Sequence, residues 1–167
     1  MSNKNNNLNF IGRVEERKEL DRCLSSNRSE LVIVYGRRRV GKTFLIEQHF
    51  NQEFDFWYVG RRNIPTREQL RQFGRALTKY SGKGYQFSTW YEAFDALEDY
   101  LETLPRDKKK VVFIDEMPWI DRVHSNFVSA FEGFWNGWAM SRGDIMMIAT
   151  GSATSWMRDK LVENKGG

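Results

Sequence analysis

Leu31-Val32-Ile33-Val34-Tyr35 runs without a break into Gly36-Arg37-Arg38-Arg39-Val40-Gly41-Lys42-Thr43. The first five residues are continuously apolar, the pattern of a strand buried on both faces. The next eight fit G-x-x-x-x-G-K-[ST], and residues 42–50 read as a helix. Strand before and helix after is the context that this motif requires. Its glycines let the backbone turn N–H groups inward around an anion, and the helix N-terminus adds its positive end. Such a loop cradles nucleotide phosphates, with Lys42 reaching the β- and γ-phosphates and the Thr43 hydroxyl ligating Mg²⁺. The nucleotide-binding set is therefore Gly36, Arg37, Arg38, Arg39, Val40, Gly41, Lys42, Thr43 and Phe44. The three arginine side chains project from the variable part of the loop. Solvated surface and contact with a partner, a second subunit or nucleic acid are both open for them, and they carry no catalytic role.

Outward from the loop, apolar runs alternate with amphipathic stretches. Residues 14–24 read as a helix, 54–59 as a second strand, and 111–115 and 145–150 as a third and fourth. Thr66 with Gln69, and Thr89 with Glu92, form capping-box patterns that open two helices between the second and third strands. Leu70, Phe73 and Leu77 share one face of the first of these helices, and Phe94, Leu97 and Leu101 one face of the second. Ser125 can cap a further helix, residues 153–161 can form a closing one, and the aromatic stripe Phe127, Phe131, Phe134, Trp135 and Trp138 reads as core in preference to a nucleobase platform. Short buried strands separated by helices predict a three-layer α/β fold with a parallel sheet. Right-handed crossovers align the carboxyl ends of the strands along one edge, where ligands of such sheets bind.

That edge receives a second constellation. Val111-Val112-Phe113-Ile114-Asp115-Glu116 places two carboxylates where a buried strand emerges. Asp115 is the candidate Mg²⁺ ligand with Thr43, and Glu116 the candidate base that orients and polarises a water for attack on the γ-phosphate. The fourth strand ends in Thr150-Gly151-Ser152. A hydroxyl there would lie near the γ-phosphate, with Ser152 the first choice and Thr150 the second. A helix N-cap role for Ser152 or Thr154 stands beside that reading. Arg61 and Arg62 follow the second strand and remain unassigned.

Composition bounds the alternatives. The 167 residues suit one α/β domain, and 40% apolar with 29% charged side chains is a globular balance. The single cysteine, Cys23, excludes an internal disulfide, and two distant histidines argue against a His-based metal site. The Asn-rich residues 1–9 read as a flexible arm without the apolar core of a signal peptide, and no apolar run is long enough to span a bilayer. The expectation is a soluble, cytoplasmic protein. A net charge of +4 permits phosphate or nucleic-acid binding without demonstrating it.

On these residues the chain resembles the archaeal-type ATPases of prokaryotes, within the AAA+ and related STAND P-loop proteins. The resemblance rests on Phe10-Ile11-Gly12-Arg13 with Glu19-Leu20, on VYGRRRVGKT, on VVFIDEMPWI, on Phe134-Trp135-Asn136 and on IATGSATSWM, in order and spacing across most of the chain. It implies an ATPase domain over residues 10–167 with strand order 5-1-4-3-2. It also implies that Phe10, Ile11, Gly12 and Arg13 lie near the adenine of ATP or ADP, with Lys42, Thr43 and Mg²⁺ at the phosphates and Asp115-Glu116 at the hydrolytic centre. Such proteins usually continue through a fifth strand and a helical lid. The expectation is therefore an N-terminal part of a longer protein, with DNA or protein partners engaged beyond residue 167 and self-association through the uncovered first strand. The leading function is an ATPase core whose hydrolysis gates a conformational change. A nucleotide-switched DNA- or protein-binding module with little turnover, and a small-molecule phosphotransferase, are the alternatives.

Overall fold

The structure, a computed structural model, describes residues 14–36, 41–152 and 154–162. The predicted arm over residues 1–9 and the stretch 10–13 lie outside them. Four parallel strands, β1 (Glu30–Tyr35), β2 (Phe56–Val59), β3 (Lys110–Asp115) and β4 (Ile145–Gly151), form one sheet in the order β1-β4-β3-β2. The order matches the one implied by the resemblance for these four strands. Register brings the carboxyl ends together, with Tyr35 opposite Gly151 and Val59 opposite Asp115.

Alternation along the strands sorts their side chains into two cores. Phe56, Tyr58, Val112, Ile114, Met147 and Ala149 face α3 (Thr66–Ser81), α4 (Trp90–Glu102), α5 (Phe127–Phe134) and the short α7 (Thr154–Met157). Val111, Phe113, Met146 and Ile148 face α1 (Val14–Ser25) and α2 (Lys42–His49) through Leu20, Cys23, Leu45 and Ile46. Both faces of the sheet are covered, which is why β3 and β4 are buried at every position. β1 differs from the expectation of full burial: five of its residues are half-buried and Tyr35 is 42% exposed. It is an outer strand of the described sheet, so only one of its sides is paired. The second strand begins at Phe56 instead of 54, and just before it the Asp55 N–H donates to Val111 O on β3 at 2.9 Å.

Of the two expected capping boxes, the one at α4 forms with its return bond shifted one residue, to Ser88 N, and the one at α3 does not form. Thr89 accepts from Glu92 N at 3.2 Å, while Glu92 Oε2 accepts from Ser88 N at 2.7 Å. At α3 the cap position is Pro65, Thr66 is already helical, and Gln69 turns its amide away from the helix end. Ser125 stands one residue before the cap of α5 and accepts from the Phe127 amide at 3.2 Å. The aromatic stripe is core, as predicted: Phe127, Phe131 and Phe134 are buried against Phe94 and Trp90. The helix continues past α5 through a π-helical stretch, Trp135–Ala139, into α6 (Met140–Arg142). The closing helix is α7 followed by a π turn, Arg158–Val162, with Ala153 outside the described residues. No described helix is long and apolar enough to cross a membrane.

Candidate nucleotide site

The site is built where β1, β3 and β4 end. Gly36 and Gly41 have φ of 154° and 83°, values that side chains beyond glycine rarely adopt, so the backbone itself demands both glycines of the motif. Between them, Arg37, Arg38, Arg39 and Val40 lie outside the described residues, as do Phe10, Ile11, Gly12 and Arg13. Lys42 opens α2, is 7% exposed, and donates from Nζ to the Gly36 carbonyl at 3.1 Å. The ammonium is thus held back against the entry of its own loop. Phe44, one turn position on, is 39% exposed.

Thr43 and Asp115 are 72 residues apart in sequence and meet here. The Thr43 hydroxyl lies 3.0 and 2.9 Å from Oδ1 and Oδ2 of Asp115 and donates to the carboxylate. The Thr150 hydroxyl donates to the same Oδ1, and the Glu116 amide donates to it at 3.0 Å. Asp115 is only 4% exposed, and among the described residues no Lys or Arg forms an ion pair with it. Among the described residues, hydroxyl and amide dipoles are what contact this carboxylate. A buried carboxylate beside a hydroxyl oxygen is a donor set suited to a hard divalent ion such as Mg²⁺. On α2, one turn beyond Thr43, burial and the Asp115 carboxylate push the Glu47 carboxyl above its usual range.

Glu116 takes left-handed backbone angles, φ 53° and ψ 46°, and begins a tight turn over Met117–Trp119. Two glycines flank that turn. A Cβ on Gly60 would stand 2.4 Å from the Glu116 carbonyl oxygen, and one on Gly151 would stand 2.6 Å from Pro118 Cδ. Gly60 also donates its N–H to the Asp115 carbonyl at 2.8 Å. The carboxylate pair is therefore gripped from both neighbouring strand ends. Of the two hydroxyls proposed at the end of β4, Thr150 is the one in the site: it is 1% exposed and also accepts from the Glu116 amide at 3.2 Å. Ser152 is half-buried and bonds neither carboxylate among the described residues.

Sequence reasoning missed Gln69. Its Oε1 accepts from Arg61 N at 2.8 Å and from the Tyr58 hydroxyl. Its Nε2 donates to Arg61 O at 2.9 Å and Trp119 O at 3.4 Å. It thus ties the loop after β2 to the turn after Glu116. No local pattern carries this signal, since its partners come from three separate segments. Glu47 and Gly60 were missed too, although the four-residue step from Thr43 to Glu47 on one helix was legible. A groove of about 810 Å³ bordered by Glu53, Asp55 and Lys108 lies at the opposite ends of the strands and takes no part in this site.

Residues 10–166 match an ATPase domain predominantly from Archaea. Among curated proteins, protein MJECL04 of Methanocaldococcus jannaschii is 28% identical over 157 residues, covering 93% of this chain and 32% of that protein. The ATP-binding protein MJ0423 of the same organism is 51% identical over 39 residues, 23% of this chain and 66% of its own length. Among solved structures, the Walker-type ATPase PABY2304 of Pyrococcus abyssi superposes with a TM-score of 0.59 at 20% identity, covering 90% of this chain and 47% of that one. Cdc6p of Pyrobaculum aerophilum gives 0.63 at 15% identity, covering 92% and 42%. These two likenesses show a shared fold. The chain spans about a third of the length of the first of these curated relatives and less than half of either solved chain. With its phosphate-loop sequence, its strand-end carboxylates and the match over nearly its whole length, this chain belongs to the ATPase-domain family found predominantly in Archaea.

Proposed function

We propose that this domain binds ATP with Mg²⁺ at the ends of β1 and β3 and hydrolyses it to ADP and phosphate, turnover gating a conformational change in the protein. The observation that carries the reading is the convergence of Lys42 and Thr43, at the start of α2, with the buried Asp115 carboxylate and the adjoining Glu116. Lys42 would exchange its bond to the Gly36 carbonyl for the β- and γ-phosphates. Thr43 and Asp115 would hold Mg²⁺, which when bound neutralises phosphate charge. Glu116 would accept a proton from the water whose oxygen attacks the γ-phosphorus as the bond to the ADP oxygen breaks. Thr150, already bonded to Asp115 and the Glu116 amide, is placed to fix both groups, and takes precedence over Ser152 in this reading. Phe10 to Arg13 and the loop residues Arg37 to Val40 keep their proposed places around the nucleotide. DNA or protein partners and a cytoplasmic setting belong to the same proposal.

Two substitutions test it. Lys42→Ala should weaken ATP binding at least tenfold by calorimetry, about 1.4 kcal/mol. Glu116→Gln should leave binding in place while phosphate release falls by about 10²-fold or more. Equal ATP affinity of a correctly folded Lys42→Ala protein would overturn the site. Turnover of Glu116→Gln within about twofold of wild type would remove Glu116 as the base.

A further inference from the structure

The positive charge of the chain has an address. From Arg61 to Lys83 there are seven basic side chains and one acidic, a net +6, against +4 for all 167 residues. Everything outside this stretch is on balance acidic. Arg67, Arg71, Arg75 and Lys79 recur at every fourth position of α3, and all four are exposed. Leu70, Phe73 and Leu77 hold the opposite face of the helix in the core. Four residues advance a helix by about 6 Å, so the cations form a ridge about 18 Å long. Their repeat is close to the separation of successive phosphates along one nucleic-acid strand.

The ridge is not neutralised from within. Arg71 pairs with Glu68 at 3.0 Å, but among the described residues Arg61, Arg67, Arg75 and Lys79 form no ion pair. Elsewhere Arg22, Arg28, Lys110 and Arg142 are all paired. The neighbouring α4 carries Glu92, Asp95, Glu98, Asp99 and Glu102 and no basic residue, yet no ion pair joins it to α3 among the described residues. Burial, and then repulsion from Asp95, Glu102 and Asp99, push the Glu98 carboxyl up, and the one cation near this stripe is Arg142, 4.0 Å from Glu102, among the described residues. Two helices in contact keep their opposite charges apart. Beside the ridge, a groove of about 370 Å³ runs between α3 and the outer side of β2, bordered by Arg61, Gln72, Arg75, Lys79 and Tyr80.

We propose that this ridge and groove form a docking surface for a nucleic-acid backbone, read by charge and not by base sequence. Two features favour nucleic acid over an acidic polypeptide. Five of the seven cations are arginines, whose planar fork matches phosphate oxygens in pairs. Their regular period suits a polymer with a fixed charge repeat, which an acidic peptide lacks. The proposal stands independently of whether the domain hydrolyses ATP.

Fluorescence anisotropy of the full chain with labelled mixed-sequence oligonucleotides, single-stranded and duplex, between about 50 and 200 mM salt, tests it. Arg75→Ala with Lys79→Ala should weaken binding about tenfold for any sequence. It should also lower the salt slope by about 1.4 to 1.8, the release expected for two phosphate contacts. Arg106→Ala with Lys108→Ala removes the same charge from the opposite ends of the strands and should change affinity by less than about twofold, as expected where no phosphate is contacted. Arg67→Gln with Arg71→Gln repeats the test should the first pair alter the melting curve by circular dichroism. Absence of binding at the lowest salt would overturn the proposal, as would equal losses in the ridge and control variants. Displacement of the oligonucleotide by polyglutamate at equal charge would also overturn it, assigning the ridge to an acidic protein.

Discussion

Asp144 shows how much one side chain can hold in this molecule. Its Oδ2 accepts from Lys110 Nζ at 2.8 Å and from Arg142 at 3.0 Å, and Lys110 is only 2% exposed. Burial raises the Asp144 carboxyl, but the hydrogen bonds from Arg142 and Lys110, with their charges, outweigh it and hold the group at about 2, below its usual 3.8. A folded-state value below the unfolded one means that the unfolded chain binds more protons across this window. The stabilisation is therefore complete above about pH 5 and is lost as pH falls toward 2. Asp144→Asn keeps the shape but leaves the Lys110 ammonium buried without its partner, a loss of about 3–5 kcal/mol. Urea unfolding at neutral pH measures it, and the variant's stability should vary less with pH below about 4, as the titrating group is gone. A change under about 1 kcal/mol would show that the ion pair is replaceable by solvent.

Between elements, the decisive contacts are backbone ones. Gly60 follows the last residue of β2 and Gly151 ends β4, and these two strands flank the turn that presents Glu116. Gly60 has no room for even a methyl group, because the atom met at 2.4 Å is main-chain oxygen and cannot rotate aside. Gly60→Ala should cost about 1–3 kcal/mol through forced backbone movement. It should also lower turnover more than ATP affinity, since Glu116 moves while Lys42 and Thr43 do not. Thermal melting combined with phosphate-release kinetics checks both halves; an unchanged melting temperature would mean that the turn is softer than its packing implies. The same scale explains Gln69. Its place in α3 looked like a capping position from the sequence, yet the tertiary contacts to Arg61, Tyr58 and Trp119 claim the side chain instead.

Across the whole molecule, coverage of the sheet decides rigidity. β3 and β4 are buried throughout and paired on both sides, whereas β2 is a four-residue outer strand ending in Val59 at 39% exposure. Amides of Val112 to Ile114 and Met147 to Ala149 should therefore exchange with solvent only through global unfolding. Those of β2 should exchange through smaller local openings. Native-state hydrogen exchange in low denaturant separates the two classes, and a common opening free energy for all four strands would contradict this ordering.

The sequence by itself determined the layers and the anchor of the site. Continuous apolar runs separated by amphipathic helices can bury their surface only as a covered parallel sheet, and the glycines, Lys42 and Thr43 sit in a motif whose geometry is local. Asp115 and Glu116 were legible because the end of a buried strand is itself a local signal. What only the tertiary structure decided is which distant groups meet. Thr150 in preference to Ser152, the grip of Gly60 and Gly151, and the bonds of Gln69 depend on strand order and register, which place residues dozens of positions apart within a few ångströms. The basic ridge was present in the sequence as a four-residue repeat. Only the fold shows that it is exposed, that among the described residues Arg71 alone of its four cations is in an ion pair, and that it is kept apart from the acids of α4, because a helix's neighbours, and not its own period, decide which charges find partners.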